Sequence, residues 1–553
     1  MKPRRLRNLA RLGAIVAVAL SALSISAVPA AAQAAPQTVV SLTFNDAFVS
    51  QYTYARPILR SHNMNGTFFV TSGAIDKGYA CCVAWWQADD LYRDGNEIGG
   101  FGRDRLDLTQ VYNSDPVQDY NYKRAQVCDD RQRLAALGYD PRSFAYPYGA
   151  YNYTFPGTTN TVEGIVQACG YSSGRPVGGL SATGPVYGET LPPQDPYAVR
   201  TWSDGSSSAI SLQSLQSAVT AAASNGGGWV PLVFNELCHQ GTSNYSACMS
   251  SWQPTDDATF SALLDWLANA GQPGGAPAGT VVRTVRQAIG APAQPVLPVR
   301  PTTVSLTFDD GRPSQYLARN LLLNNNMKAT FYLNSGFIDA RDGGAMTWAQ
   351  ARTLQSQGQD MGGHTKDHVD LTDPNTTTAF KTQQVCSDRT RIIQGLQLPA
   401  TTNQVVSFAY PFGAYNAAAE AIVQSCNGDN GYTSGRSAGN VSVAGPNYAE
   451  TIPPRDRFGT WALQGENNLP IRLQYLKDAV TAAASHGGGW VQIVLHDVCF
   501  ANRSDYAECM GTDDRPIDSA AFNSFLGWLR TAGQSGSAPA GTTVKTVREV
   551  MSG

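Results

Sequence analysis

At 553 residues the chain is longer than one hydrophobic core usually serves, and about two large domains is the natural expectation. Its 40 Lys and Arg do not exceed its 43 Asp and Glu. That balance speaks against nucleic acid or an anionic membrane surface as partner, since both need clustered cations to displace counterions.

The chain opens with Lys2, Arg4, Arg5, Arg7 and Arg11, runs apolar from Leu12 to Val28, and ends this segment with small residues from Ala30 to Ala34. A basic start, an apolar middle and a small-residue cleavage site spell a secretory signal peptide over 1–34. A membrane anchor is the rival reading, because the run is near the lower length for a bilayer span. Arg4-Arg5 is a weak twin-arginine feature. No later stretch is apolar for long enough to span, so the expectation is a secreted protein, extracellular or cell-wall associated, with no membrane contact after cleavage. Removing those five basic residues turns 40 against 43 into 35 against 43, an acidic mature chain.

From residue 37 the chain runs through one frame and then repeats it. Val40-Ser41-Leu42-Thr43-Phe44 returns as Val304-Ser305-Leu306-Thr307-Phe308, Ser143 to Gly149 as Ser407 to Gly413, and Gly226-Gly227-Gly228-Trp229 as Gly487-Gly488-Gly489-Trp490. The copies are expected over 37–290 and 301–553, joined by a proline-spaced connector at 291–300 that suits an extended linker rather than a packed element. Ten cysteines in an exported chain favour disulfides over metal thiolates. Equivalent positions in the two copies predict Cys128–Cys169, Cys238–Cys248, Cys386–Cys426 and Cys499–Cys509, with Cys81 and Cys82 left over as an adjacent pair. Crossed connectivity is the alternative.

In the second copy, Thr303–Phe308, Ala329–Leu333, Val405–Tyr410 and Val491–Leu495 read as buried strands. Between them lie helical stripes such as Leu317, Leu321 and Leu322, or Phe522, Phe525, Leu526 and Leu529. Strand and helix alternating over such a length point to an α/β fold with a parallel sheet, and the regular recurrence favours a barrel over an open sheet. Polar residues fall where those strands end: Asp309-Asp310-Gly311, His364 after Met361-Gly362-Gly363, Pro411-Phe412-Gly413, and His496-Asp497. In a parallel barrel such residues share one mouth.

Each motif has a bland reading on its own. Asp-Asp-Gly is a common turn, and one histidine on an apolar strand is usually a satisfied core residue. Taken jointly they read differently. Of six histidines in the chain, three sit at strand-end positions near an aspartate pair, and His364 and His368 are spaced four apart, which suits a divalent ion. Two imidazoles and one carboxylate make a three-ligand site with room for water, the arrangement of catalytic zinc. The helix-borne His-Glu-x-x-His of zinc proteases is absent.

Thr-Phe-Asp-Asp-Gly, His-Thr-x-x-His, Tyr-Pro-Phe-Gly and Leu-His-Asp, in this order over residues 303 to 500, resemble the polysaccharide deacetylases of the NodB-homology type, carbohydrate esterase family 4. The resemblance implies two tandem distorted (β/α) barrels and metal-dependent removal of acetyl groups from N-acetylated sugars. Carried over by position, Asp310, His364 and His368 hold the metal, most consistently Zn2+, Asp309 is the base and His496 the acid. The backbone N–H of Phe412 serves the oxyanion, and Tyr410 and Phe412 wall the sugar site. The partner implied is an acetylated polysaccharide, chitin-like or peptidoglycan-like.

Two departures stand out. The family often has arginine before its Pro-Tyr-Gly segment, where this chain has Phe408-Ala409-Tyr410, and no clear Asp-x-x-Asp-Trp supports the acid histidine. Arg455, Asp456 and Arg436 are the candidates to substitute. O-deacetylation, as of acetylated xylan, and a non-catalytic carbohydrate-binding or cell-wall protein are the competing readings. In the first copy the acid pair is Asn45-Asp46, the histidines Phe101, Arg105 and Asn235, while its glycines, prolines, tryptophans and cysteines persist. That copy reads as a pseudoenzyme domain that packs against the second or extends its groove, or as an inert relic.

Overall fold

The computed structural model describes residues 37–203, 208–341, 343–426, 431–465 and 469–552. The signal peptide expected over 1–34 lies outside the described residues. The rest forms two curled, all-parallel sheets, one from each copy, each wrapped by helices.

The second sheet closes on itself. From Thr302–Phe308 the order runs through Thr330–Leu333, Asp360–Gly363, Ser407–Ala409, Ser434–Val441, Thr460–Leu463 and Gly489–Leu495, which pairs back to Thr302–Phe308. The first sheet follows the same circuit but is open between Ser173–Arg175 and Gly179–Leu180, consecutive strands that form its two edges. The break falls at Pro176, which has no N–H to give a ladder; the closed ring has Ser437 there, whose side-chain hydroxyl donates to the Thr460 carbonyl at 3.1 Å.

Both barrels are filled alike. Phe308 stacks on Phe331 at 4.8 Å with Phe522 edge-on, and Phe44 stacks on Phe68 at 4.4 Å with Phe260 edge-on. Fully buried Trp490 and Trp229 each donate an indole N–H at 2.9 Å to a serine of the first strand, Ser305 or Ser41. Gly363 and Gly100 permit close approach: a Cβ there would meet a tyrosine hydroxyl at 1.9 Å (Tyr432) and 2.0 Å (Tyr171). The repeated sequence is therefore a scaffold specification that both copies keep.

Local details differ from the sequence expectation. The predicted Val405–Tyr410 strand shrinks to Ser407–Ala409, because the Val405 carbonyl is taken by the Arg389 side chain at 2.7 Å. On the Pro313–Asn324 helix the buried face is Gln315, Ala318 and Leu322, with Leu317 only half-buried. The connector carries no helix or strand, yet it is not loose. Leu297 is buried in the first core, Gln294 bonds Tyr92 and Asn96 carbonyls, and Arg300 pairs with Asp89 at 2.7 Å. Cys128–Cys169, Cys238–Cys248, Cys386–Cys426 and Cys499–Cys509 are joined, and Cys81 and Cys82 are free.

The barrels touch directly. Trp86 donates to the Pro446 carbonyl at 2.7 Å and lies edge-on to His486 at 4.7 Å, while Arg133 reaches Thr451 at 2.8 Å. His486 precedes the Gly489–Leu495 strand and His496 follows it, so this contact and the catalytic candidates sit at opposite ends, roughly 20 Å apart. The first barrel abuts the second without lining its mouth. No helix among the described residues is long and apolar enough to cross a membrane.

Candidate active site

Asp309 and Asp310 end the first strand of the second barrel, and the left-handed backbone of Asp310 (φ 74°) lets two adjacent carboxylates meet different partners. Asp309 is buried and receives Arg436 Nη2 at 2.6 Å on each oxygen. Burial alone would push its carboxyl up, but the Arg436 guanidinium, with His364 and His496 nearby, holds it below the ordinary range. It is ionised at neutral pH. Gln315, wholly buried, donates to the carbonyls of Asp309 at 2.5 Å and His496 at 3.1 Å and so ties two strand ends together.

His364 follows the Asp360–Gly363 strand, and its Nδ1 lies 2.7 Å from the Ala409 carbonyl. A carbonyl can only accept, so Nδ1 carries the proton and Nε2 keeps its lone pair for the site. Asp310 Oδ1 is 3.5 Å from His364 Nε2 and 3.4 Å from His368 Nε2, and it is buried with no hydrogen-bond partner. The three side chains offer ligand atoms all within 4.8 Å of one another.

These residues fit a divalent cation. Tetrahedral bonds of roughly 2.1 Å give ligand edges of about 3.4 Å, close to both spacings from Asp310 Oδ1. Charge agrees with spacing. Burial works against the His364 imidazolium, yet the Asp310 and Asp309 carboxylates outweigh it and raise its pKa, so the cluster draws in positive charge. Burial and the neighbouring His364 lower His368 to about 4, leaving it a neutral donor. Asp310 sits well below the carboxylate range, because His364, His496 and Arg312 together overcome its burial.

Above the cluster lies a cavity of about 580 Å³ that includes His496 and Phe412. His496 is half-buried, its Nδ1 has no hydrogen-bond partner, and burial lowers its pKa despite Asp309 and Asp310. Phe412, 67 % exposed in a left-handed conformation, lies edge-on to His368 at 4.6 Å.

The structure thus brings together Asp309, Asp310, His364, His368, His496, Phe412 and Arg436, and leaves three expected residues outside. Tyr410 does not wall the cavity: it is 1 % exposed, stacked on Tyr415, with its hydroxyl on the Phe458 carbonyl. Arg455 is turned to Glu450 at 3.3 Å and over Trp461, and Asp456 accepts the Phe458 N–H at 2.8 Å. Both are committed to the fold of their own loop. Of the candidates Arg455, Asp456 and Arg436, only Arg436 meets the base, reaching it from the Ser434–Val441 strand on the far side of the closed ring.

Sequence reasoning missed Arg312. Its guanidinium bonds Asp310 Oδ2 at 2.9 Å, Asp497 at 2.6 Å and Asp514 at 2.7 Å, which leaves Asp310 Oδ1 for the imidazoles. The signal was available, since the first copy has Phe48 at that position.

The first copy keeps the frame of this site without its chemistry. Gln51 bonds the Asn45 and Asn235 carbonyls at 2.6 and 2.7 Å, as Gln315 does in the second. Arg175 takes the place of Arg436 but bonds an amide, Asn45 Oδ1, which is itself linked to no base. Arg105 pairs with Asp46 at 2.5 Å, placing a guanidinium on the one remaining ligand.

Residues 32–164 and 297–430 match the family described as Polysaccharide deacetylase. No curated protein matches the chain. Among solved structures, it is similar to the Xyl-CE4 domain of a multidomain xylanase from the hindgut metagenome of Trinervitermes trinervoides, at 16 % identity and TM-score 0.28, covering 46 % of this chain and 91 % of that one. It is also similar to a CE4 family pseudoenzyme from Bacillus anthracis, at 14 % identity and TM-score 0.30, covering 46 % and 66 %. A family 4 acetyl xylan esterase from Clostridium thermocellum, in complex with a cobalt ion, is similar at 16 % identity and TM-score 0.29, covering 45 % and 91 %.

Proposed function

Because the chain belongs to the polysaccharide deacetylase family, as a tandem pair with a degenerate first copy, we propose that its second barrel is a secreted, metal-dependent enzyme. It hydrolyses N-acetyl groups of amino-sugar polymers to free amine and acetate. The observation that carries the reading is one cluster: an orphaned carboxylate oxygen 3.4 and 3.5 Å from two imidazoles, beside an aspartate gripped by a buried arginine. The four disulfides support an exported destination.

Asp310, His364 and His368 would hold the ion, and nitrogen with carboxylate donors suits zinc. When bound, a divalent ion lowers the pKa of water and polarises an acyl oxygen. The chain's own residues do the rest. Asp309, kept ionised by Arg436, accepts the proton of the attacking water. Phe412, exposed beside His368, bounds the acyl end of the substrate, and its backbone N–H serves the oxyanion. His496 donates a proton to the departing nitrogen. Proton acceptance and donation are thus divided between side chains of two neighbouring strands that Gln315 ties together.

Acetate released from chitohexaose and from acetylxylan, with and without chelator, tests the reading. Chelator-sensitive release from chitohexaose is expected; release from acetylxylan alone would transfer the activity to ester substrates, and none from either would overturn it.

A further inference from the structure

The mouth of the first barrel has been rebuilt rather than emptied. Where the second copy has Arg312, Gly344 and Ala345, the first has Phe48, Cys81 and Cys82. The segment bearing the cysteines is strapped across the strand ends, with Val49 N–H on the Cys81 carbonyl at 2.8 Å and Val83 N–H on the Ala47 carbonyl at 2.9 Å. Beneath it lies a cavity of about 300 Å³. Tyr79 stands on its wall, 52 % exposed. Tyr148 occupies the position of Phe412, with the same left-handed backbone, and is 64 % exposed under the Arg105 guanidinium, 5.1 Å from its ring centroid. Arg105 is fixed by Asp46 and Lys77 by Asp104 at 2.9 Å, so two cations are held at the same opening.

We propose that this mouth is a non-catalytic binding site for a pyranose unit of an acetylated amino-sugar chain, laid on Tyr79 and Tyr148 with Arg105 and Lys77 donating to its oxygens. The proposal rests on the reading of the second barrel as a polysaccharide deacetylase. Its physical basis is complementarity: the C–H face of a pyranose is weakly positive and apolar, the face of a tyrosine ring is negative and apolar, and fixed N–H donors answer the equatorial oxygens. A metal is excluded by Arg105, whose charge sits on the only remaining ligand, Asp46. A decayed site would have kept a polar cavity or collapsed. Here the lost groups are replaced by Phe48, the cysteine pair and an exposed tyrosine around a cavity that persists.

The test is calorimetric titration of the metal-loaded, full-length protein with chitohexaose, carrying Asp309→Asn to stop turnover. Two binding events are expected. In a further variant with Tyr79→Ala and Tyr148→Ala, one event stays and the other weakens by about tenfold or more. Tyr79→Trp keeps both. Each tyrosine is exposed, and unchanged metal content and circular dichroism verify folding. A single event in the parent, or two events indifferent to the tyrosines, overturns the proposal. Acetate release by the wild type separates the two readings: release without a second binding event sinks only this inference, and a tyrosine-dependent event without release sinks only the deacetylase.

Discussion

At the end of the first strand the second barrel sets Asp309 against Arg436, while the first sets Asn45 against Arg175 on the same backbone. The consequence is legible in the arginines. With a carboxylate partner, Arg436 is held more tightly protonated than usual; with only an amide and the more distant Asp46, burial lowers Arg175 to about 9. The first copy therefore retains a buried guanidinium without the carboxylate that faces its counterpart in the second copy. The comparison also sorts conserved-looking chemistry from scaffold. Asp388 and Asp130 are both fully buried and both lifted to about 7, accepting backbone N–H groups of Ser335 and His364 in one copy, Ser72 and Gly102 in the other. Shared in place, burial and backbone partners, this pair of acids is architecture.

The largest expected break in this contrast is Asp309→Asn, which should lower kcat by at least about a hundredfold with metal retained; near-normal acetate release would reject Asp309 as the base. Next is Arg436→Met. It should cost roughly 10- to 100-fold, and because Arg436 depresses Asp309, its loss should move the acidic limb of the pH–rate profile to higher pH. A profile that drops uniformly without moving would make Arg436 merely structural. Arg175→Met in the first copy should leave that profile where it is.

A sharper version re-arms the first copy. Phe101→His with Arg105→His returns two imidazoles to Asp46, and metal analysis should rise from one ion per chain to two. If it stays at one, the apolar rebuilding by Phe48 and the cysteines, rather than the missing ligands, bars the site. The smallest effect concerns the scaffold acids. A carboxyl raised by burial contributes stability that is complete below the ordinary carboxylate range and lost as pH climbs through its folded value, here about 7. Asp388→Asn and Asp130→Asn cannot ionise, so in urea unfolding each should gain on the wild type between pH 4.5 and pH 7.5. A difference independent of pH would show that these carboxyls do not titrate with folding.

Much of this was legible before any coordinates. Internal duplication exposed the scaffold, because the elements both copies share are those that pack and fill the curled sheet, such as Gly363, Trp490 and Phe308. The candidate metal triad was legible because its residues are scarce and lie at or just beyond strand ends. Lateral contacts were the least legible: Arg436, one of three candidates in the sequence, reaches Asp309 across the sheet from 127 residues away, and the pair that escaped, Arg312 and Asp514, meets from 202 residues apart, so no local pattern marks these contacts. Tyr410 was misplaced for a related reason: strand alternation turned it inward, and only Phe412, thrown out by its positive φ, faces the cavity.

The account turns on one ion held by one copy, and elemental analysis of purified full-length protein measures this directly. It predicts one divalent ion per chain, lost in His364→Ala and kept in Arg105→Ala. Protein that carries no ion under saturating zinc, or that keeps it in His364→Ala, would contradict the account.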